Sequence, residues 1–305
     1  MNSATTKILL EASELAALLA DKVPAHKLRI VNANYAVQRP TYAAYNPPVK
    51  ADHIFKQERI PGARFIDISE IGDKSQGLPC MLPQADRFKE LMMKLDIGAD
   101  DHVVCYGDDN VIGACRVYWM FRTYGFEHVS ILNGPINVWK DAGYEVETGE
   151  ETWKQAVENR EPQEFEFEFK EKLVTSMADV QKLVIREKID SSIQLIDTRK
   201  TAVFRGDNKD PKGGRTGHLP GFKNVPFVDL LREDGGFKSH REIEGVLQAK
   251  DLNNEKPTIL SCNSGMTATV AYFGLCLLGA PNLSLYDGSW TEWVKYEENP
   301  VVQGE

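Results

Sequence analysis

The sequence predicts an α/β protein of two similar domains, each a parallel sheet with helices on both faces. Three observations lead there. The chain has 305 residues, long for one α/β domain and comfortable for two, each able to bury roughly two-thirds of its unfolded surface. Three markers recur in one order at offsets of 154 to 159 residues, the self-similarity of a duplicated unit. Within each half, short β-branched runs alternate with helical periods, as strand–helix–strand units require.

The repeat sets the domain plan. Ile60-Pro61-Gly62-Ala63 is echoed by Leu219-Pro220-Gly221-Phe222, and Leu132-Asn133-Gly134 with Trp139 by Tyr286-Asp287-Gly288 with Trp293. Between these markers, Val103-Val104-Cys105-Tyr106-Gly107 and Ile259-Leu260-Ser261-Cys262 are apolar runs that stop abruptly and lead into apolar helix patterns. The alignment sets Gly107 opposite Cys262, so the first half has the frame without the thiol. The expected boundaries are a first domain over residues 8–145, an acidic linker over 146–170 and a second domain over 171–300. The linker is dense in Glu, with Lys154, Arg160 and Lys170 as its cations. Its end, Glu164 to Phe169, alternates with period two and predicts an edge strand.

In the second half, Ser176 with Asp179 three residues on is a helix-start signature. Gln194-Leu195-Ile196 reads as a strand, and so does Thr258-Ile259-Leu260 after Pro257. A helix then runs from Ala268 through Leu278 to Gly279. Ligands of parallel sheets bind at the carboxyl ends of the strands, where Asp197 and Cys262 emerge.

Composition narrows the partners. With 36 Lys and Arg against 45 Asp and Glu, the net charge of -9 repels polyanions and argues against nucleic acid. A local exception runs from Arg199 to Arg215 and includes Lys200, Arg205, Lys209 and Lys212; on charge alone it is either a solvated loop or an anion site. Five cysteines without a CxxC pair argue against a disulfide framework and against a metal site. Cys105 and Cys276 read as small buried hydrophobes. Glu11, Glu14 and Asp21, with no basic region ahead of an apolar core, argue against secretory and mitochondrial import signals, and no apolar stretch approaches the roughly 20 residues of a membrane span. The expected address is the cytosol, ahead of the mitochondrion, with no membrane partner.

Cys262 stands where a strand breaks into Cys262-Asn263-Ser264-Gly265-Met266-Thr267 and then a helix. Such a loop aims several unpaired backbone N–H groups, with the helix dipole, at its centre and favours a thiolate or bound anion there. Gly265 permits the tight turn. By position alone, Cys262 is either this nucleophile or an inert strand-end cysteine.

The loop through Ala268 resembles the active-site loop of the rhodanese superfamily, and Asp197-Thr198-Arg199, Gly217-His218-Leu219-Pro220-Gly221 and Tyr286 to Trp293 resemble its other motifs. The resemblance spans nearly the whole chain and implies two tandem rhodanese-like domains, the first non-catalytic. It also implies a sulfurtransferase with no metal or organic cofactor: Cys262 takes sulfur from a small-molecule donor as a persulfide and passes it to a thiol, such as thioredoxin or a small thiol, or to cyanide. Catalytic candidates are Cys262 and Ser264, with the amides of Asn263, Gly265, Met266 and Thr267 lining the loop.

Thiosulfate enzymes of the family place cations after the cysteine, whereas mercaptopyruvate enzymes place Gly and Ser. Asn263 and Ser264 leave the loop uncharged, which favours 3-mercaptopyruvate, with Ser264 relaying a proton; thiosulfate is the alternative donor. The family's substrate arginine falls on Val203, leaving Arg199, Arg205, Lys212 and Arg215 as candidate substrate contacts. Asp197 is expected to cap the strand end. Ser69 and Cys80 fall where animal mercaptopyruvate enzymes have Asp and His, so a histidine relay is not expected, and Cys80 is either a second thiol at the site or a packing residue. Trp290 and Trp293 read as core. Two rival readings are a phosphatase, disfavoured because Thr267, Ala268 and Thr269 stand where a phosphate-gripping arginine is needed, and a silent rhodanese-like binding module.

Overall fold

The computed structural model describes residues 6–21, 28–35, 50–157, 166–185, 192–207 and 214–304. They fall into two compact units, one comprising Met1–Gly72, Pro83–Phe169 and Asp234–Gly236, the other Asp73–Leu82, Lys170–Glu233 and Phe237–Glu305. Each half of the sequence therefore contributes one short segment to the unit formed mainly by the other.

Unit 1 holds strands β1 (Leu9–Leu10), β2 (Leu28–Asn34), β3 (Arg64–Asp67), β4 (His102–Tyr106) and β5 (Val129–Leu132) in a parallel sheet of order β1-β5-β4-β2-β3. Its helices are α1 (Ala12–Ala20), α2 (His53–Gln57), α3 (Ile68–Ile71), α4 (Ala85–Lys94), α5 (Ile112–Thr123), α6 (Ile136–Asp141) and α7 (Thr152–Val157). Unit 2 repeats the plan with β6 (Val174–Thr175), β7 (Gln194–Asp197), β8 (Lys223–Asn224), β9 (Thr258–Ser261) and β10 (Leu283–Tyr286) in the order β6-β10-β9-β7-β8. Its helices are α8 (Met177–Ile185), α9 (Thr201–Arg205), α10 (His240–Gln248), α11 (Ala268–Leu277) and α12 (Ser289–Trp293).

The strand order dictates where helices and ligands go. From β7 the chain moves outward to β8, then returns to the other side of β7 to form β9 and moves on to β10. Right-handed crossovers in opposite directions put helices on opposite faces. They also open a switch point between the carboxyl ends of β7 and β9. The last paired residues there are Asp197 and Ser261, so Thr198 and Cys262 are the next out of the sheet.

Packing confirms the duplication. Trp139 is buried in one core with Ile60, Tyr106 and Leu132, and Trp293 in the other with Leu219, Phe204 and Tyr286. Each indole N–H is satisfied alike, Trp139 by the Glu145 carbonyl at 2.8 Å and Trp293 by the Pro300 carbonyl at 2.9 Å. The Ser176 cap also forms, its hydroxyl donating to Asp179 at 2.6 Å.

Three expectations need correction. Residues 166–169 form no strand; Phe167 and Phe169 instead pack edge-on against the Tyr124 ring. Glu164 and Phe165 lie outside the described residues. The acidic stretch after residue 145 is more than a tether, since it forms α7, and Glu147 accepts two hydrogen bonds from the buried Arg59 guanidinium. Cys276 is half-buried at the end of α11, whereas Cys105 is fully buried, which pushes its thiol well above the usual range.

His102 offers a test of unit 1. It bonds Ser130 at 2.7 Å, and burial, reinforced by nearby His128, holds its imidazole below the ordinary value. The unfolded chain thus binds a proton at His102 that the folded chain refuses, so stability is lost as pH falls through about 6.5. Urea midpoints of the parent and of His102→Gln should diverge on acidification, with the parent falling further; parallel curves would contradict the burial cost.

Candidate active site

Beyond Ser261 the sheet no longer pairs β9, so the backbone of the next residues needs other partners. Cys262 is 1% exposed. Its N–H donates to the Ser289 hydroxyl at 3.1 Å, which in turn donates to the Tyr286 carbonyl at 2.7 Å. Its C=O accepts from the Trp290 N–H at 3.1 Å, and the Asn263 C=O accepts from the N–H and hydroxyl of Thr291 at 2.9 and 2.7 Å. Ser289 holds this place at φ +50, fully buried, in a backbone region that ordinarily favours glycine. The start of α12 is therefore a clamp on the first two loop residues.

Several main-chain donors of the rest of the loop are left open. Among the described residues none accepts a hydrogen bond from the N–H groups of Asn263, Ser264, Met266 or Thr267. Gly265 turns the chain at φ +69. The loop then closes onto α11, whose dipole favours negative charge at its N-terminus. The Asn263 side chain is exposed and that of Ser264 half-exposed, and neither hydrogen-bonds to a described residue. Unspent main-chain donors around a buried thiol, beside two uncharged polar side chains, suit an anionic sulfur species.

The end of β7 braces this loop. Asp197 is fully buried, accepts the Arg199 N–H at 2.9 Å, and pairs with the Arg199 guanidinium at 2.6 to 3.0 Å. Arg199 also donates to the Gly217 carbonyl at 2.9 Å and lies over the Trp290 ring at 4.5 Å. Because the Trp290 N–H holds the Cys262 carbonyl, the ion pair reaches Cys262 through one residue. Thr198 completes the brace: its N–H donates to the Ser261 carbonyl at 3.0 Å and its hydroxyl meets that of Thr267 at 3.0 Å.

The duplicated frame has a recognised pedigree. A family model described as Rhodanese-like domain matches residues 12–142 and 176–296, once in each half of the chain. The chain belongs to the rhodanese-like family. A 3-mercaptopyruvate sulfurtransferase of Escherichia coli (strain K12) is 35% identical over 93% of this chain and 95% of its own length. A thiosulfate sulfurtransferase of Gallus gallus is 34% identical over 82% of this chain and 84% of its own. The crystal structure of SseA from Escherichia coli, a 3-mercaptopyruvate sulfotransferase, superposes with a TM-score of 0.76 at 31% identity, covering 93% of this chain and 99% of that one.

In the first rhodanese-like unit the corresponding loop is closed. A Cβ added to Gly107 would stand 2.2 Å from the Asn110 carbonyl oxygen, and the buried Asp108 carboxylate takes a hydrogen bond from Asn32 at 2.7 Å. That loop has no room for a cysteine. The same unit holds a cavity of about 620 Å³, lined by Asp52, Phe55, Lys56, Arg59 and Lys154 among others. Several of its charges are paired, Lys56 with Asp52, Arg59 with Glu147 and Lys154 with Glu151.

The candidate substrate cations fare unequally. Arg199, a candidate substrate contact by sequence, is buried and committed to Asp197, Gly217 and Trp290. Arg215 is likewise spent, donating to the Tyr296 and Asn299 carbonyls that follow α12. Arg205 is half-buried at the end of α9, two residues after Val203, and Lys212 lies outside the described residues. Ser69 belongs to unit 1, where its N–H is taken by Asp67. Cys80 belongs to unit 2, half-buried at φ +56 on the segment whose Leu82 N–H donates to Asp287 at 2.7 Å. Trp290 and Trp293 are core, as read from the sequence. Thr198, Ser289 and Thr291 escaped the sequence reading, although each lies inside a motif it had marked.

The brace predicts its own failure. Asp197→Asn leaves the Arg199 charge buried with its counter-ion gone, at a cost of about 3–5 kcal/mol. Urea unfolding should show that loss together with slower alkylation of Cys262 by iodoacetamide. Stability within about 1 kcal/mol of the parent would mean the pair braces nothing.

Proposed function

We propose that this chain is a sulfurtransferase that moves sulfur from 3-mercaptopyruvate, through a persulfide on Cys262, to a thiol acceptor such as reduced thioredoxin or a small thiol, or to cyanide. The observation that carries the reading is the set of unspent amides around a buried thiol at the β7/β9 switch point. The names of the E. coli and chicken relatives support the reaction class.

In the first half-reaction the Cys262 thiolate attacks the donor sulfur, a new S–S bond forms, and the donor C–S bond breaks. The bonding pair leaves with carbon as the pyruvate enolate, which takes up the proton from the donor thiol and departs as pyruvate. Ser264, half-exposed two residues after Cys262, is suited to pass that proton. The persulfide anion then rests among the loop amides. In the second half-reaction an acceptor thiolate, or cyanide, attacks the outer sulfur and regenerates the Cys262 thiolate.

Asn263 and Ser264 put no positive charge at the loop mouth, and Arg199 and Arg215 are engaged internally. A compact dianion such as thiosulfate gains little there, whereas the carbonyl and single carboxylate of mercaptopyruvate need fewer cations. Arg205 and Lys212 remain the candidate carboxylate partners.

Incubation with 3-mercaptopyruvate followed by mass spectrometry should add one sulfur atom at Cys262 and none in Cys262→Ser, with pyruvate released in equal amount. Thiosulfate should give the adduct with a lower kcat/KM. No adduct from either donor would leave a silent binding module in place of the enzyme.

A further inference from the structure

Thr198 is fully buried between the catalytic loop and the end of β7. A buried hydroxyl must find partners. Its oxygen has two: the Ser261 carbonyl at 3.4 Å and the Thr267 hydroxyl at 3.0 Å. A hydroxyl has one proton to give, and a carbonyl can only accept. If Thr198 donates to Ser261, Thr267 must turn its own proton inward to make the 3.0 Å contact. If Thr198 donates to Thr267, the Thr267 proton is released.

Two observations favour the second arrangement. The contact to Thr267 is the shorter, and hydroxyl–oxygen bonds are best near 2.7–2.8 Å, so 3.4 Å is a poor alternative. The Ser261 carbonyl is also already satisfied by the Thr198 N–H at 3.0 Å. Thr267 closes the loop at the N-cap of α11, makes no side-chain cap bond to that helix, and is half-exposed where Thr198 is sealed. Its freed proton is then available on the open side of the pair.

We propose that Thr198 is a positioning residue for sulfur transfer: by donating to Thr267 it turns the Thr267 hydroxyl into one more donor to the anionic sulfur held in the loop. The inference rests on the persulfide reading of Cys262. Hydroxyls in series polarise one another, so the pair acts as a unit in which the sealed residue sets the proton of the open one.

The test is a double-mutant cycle in the full chain with 3-mercaptopyruvate and cyanide. Thr198→Val keeps shape and removes the hydroxyl; it should lower kcat roughly three- to tenfold with KM within about twofold. Thr198→Ser should restore the rate. Thr267→Val should cost at least as much, and Thr198→Val added to it should cost nothing further, because the first hydroxyl works only through the second. Parental turnover by Thr198→Val, or single losses that multiply in the double variant, overturns the proposal. Should the valine variant not fold, Thr198→Ala carries the same cycle with the same outcomes. A parent chain that takes up no sulfur overturns the persulfide reading itself, which separates that failure from this one.

Discussion

A strand that leaves its sheet before its backbone is satisfied governs this molecule. β9 loses its ladder partners after Ser261, and the donors and acceptors that follow must be met by something else or remain open. The chain meets the N–H and C=O of Cys262 and the C=O of Asn263 with Ser289, Trp290 and Thr291, and leaves the N–H groups of Asn263, Ser264, Met266 and Thr267 without a partner among the described residues. Selective satisfaction of this kind holds the loop at Cys262 and leaves main-chain donors open in the residues that follow. The Asp197–Arg199–Trp290 stack and the Thr198–Thr267 contact hold the same loop from the β7 side.

The duplication shows what the chemistry requires beyond the fold. Both units have the same strand order and the same tryptophan, carried by the helix after the last strand and anchored to a carbonyl a few residues beyond that helix. In unit 1 the loop after β4 folds back so far that the Asn110 carbonyl stands where a side chain on residue 107 would begin, and Asp108 fills the neighbourhood with its own negative charge. An anion site there is replaced by an internal carboxylate held by Asn32. One fold thus carries two loops that differ in space and in open main-chain donors.

The parts of this arrangement that were legible in the sequence are those written in local pattern. Apolar runs ending at Tyr106 and Ser261, the Ser176 cap, the glycine turns and the paired tryptophans each follow from neighbours within a few residues. The cysteine loop was legible because strand, loop and helix are contiguous. Partners brought from afar were not: Arg215 looked like a candidate clamp until Tyr296 and Asn299 took its guanidinium, and Arg199 until Asp197 and Trp290 did. The alternation before Phe169 told correctly that one face is apolar, yet alternation supplies no ladder partner, and the phenylalanines pack on Tyr124 without a strand. Thr198, Ser289 and Thr291 were passed over because a hydroxyl's role depends on which backbone group the fold sets before it.

The most direct measurement is a crystal structure of the chain after loading with 3-mercaptopyruvate. The outer sulfur on Cys262 should lie within hydrogen-bonding distance of the main-chain N–H groups of the loop that ends at Thr267. An outer sulfur turned away from those amides, or a Cys262 that stays unmodified while sulfur is found on another thiol, would contradict the claim that these unspent donors hold the transferred atom.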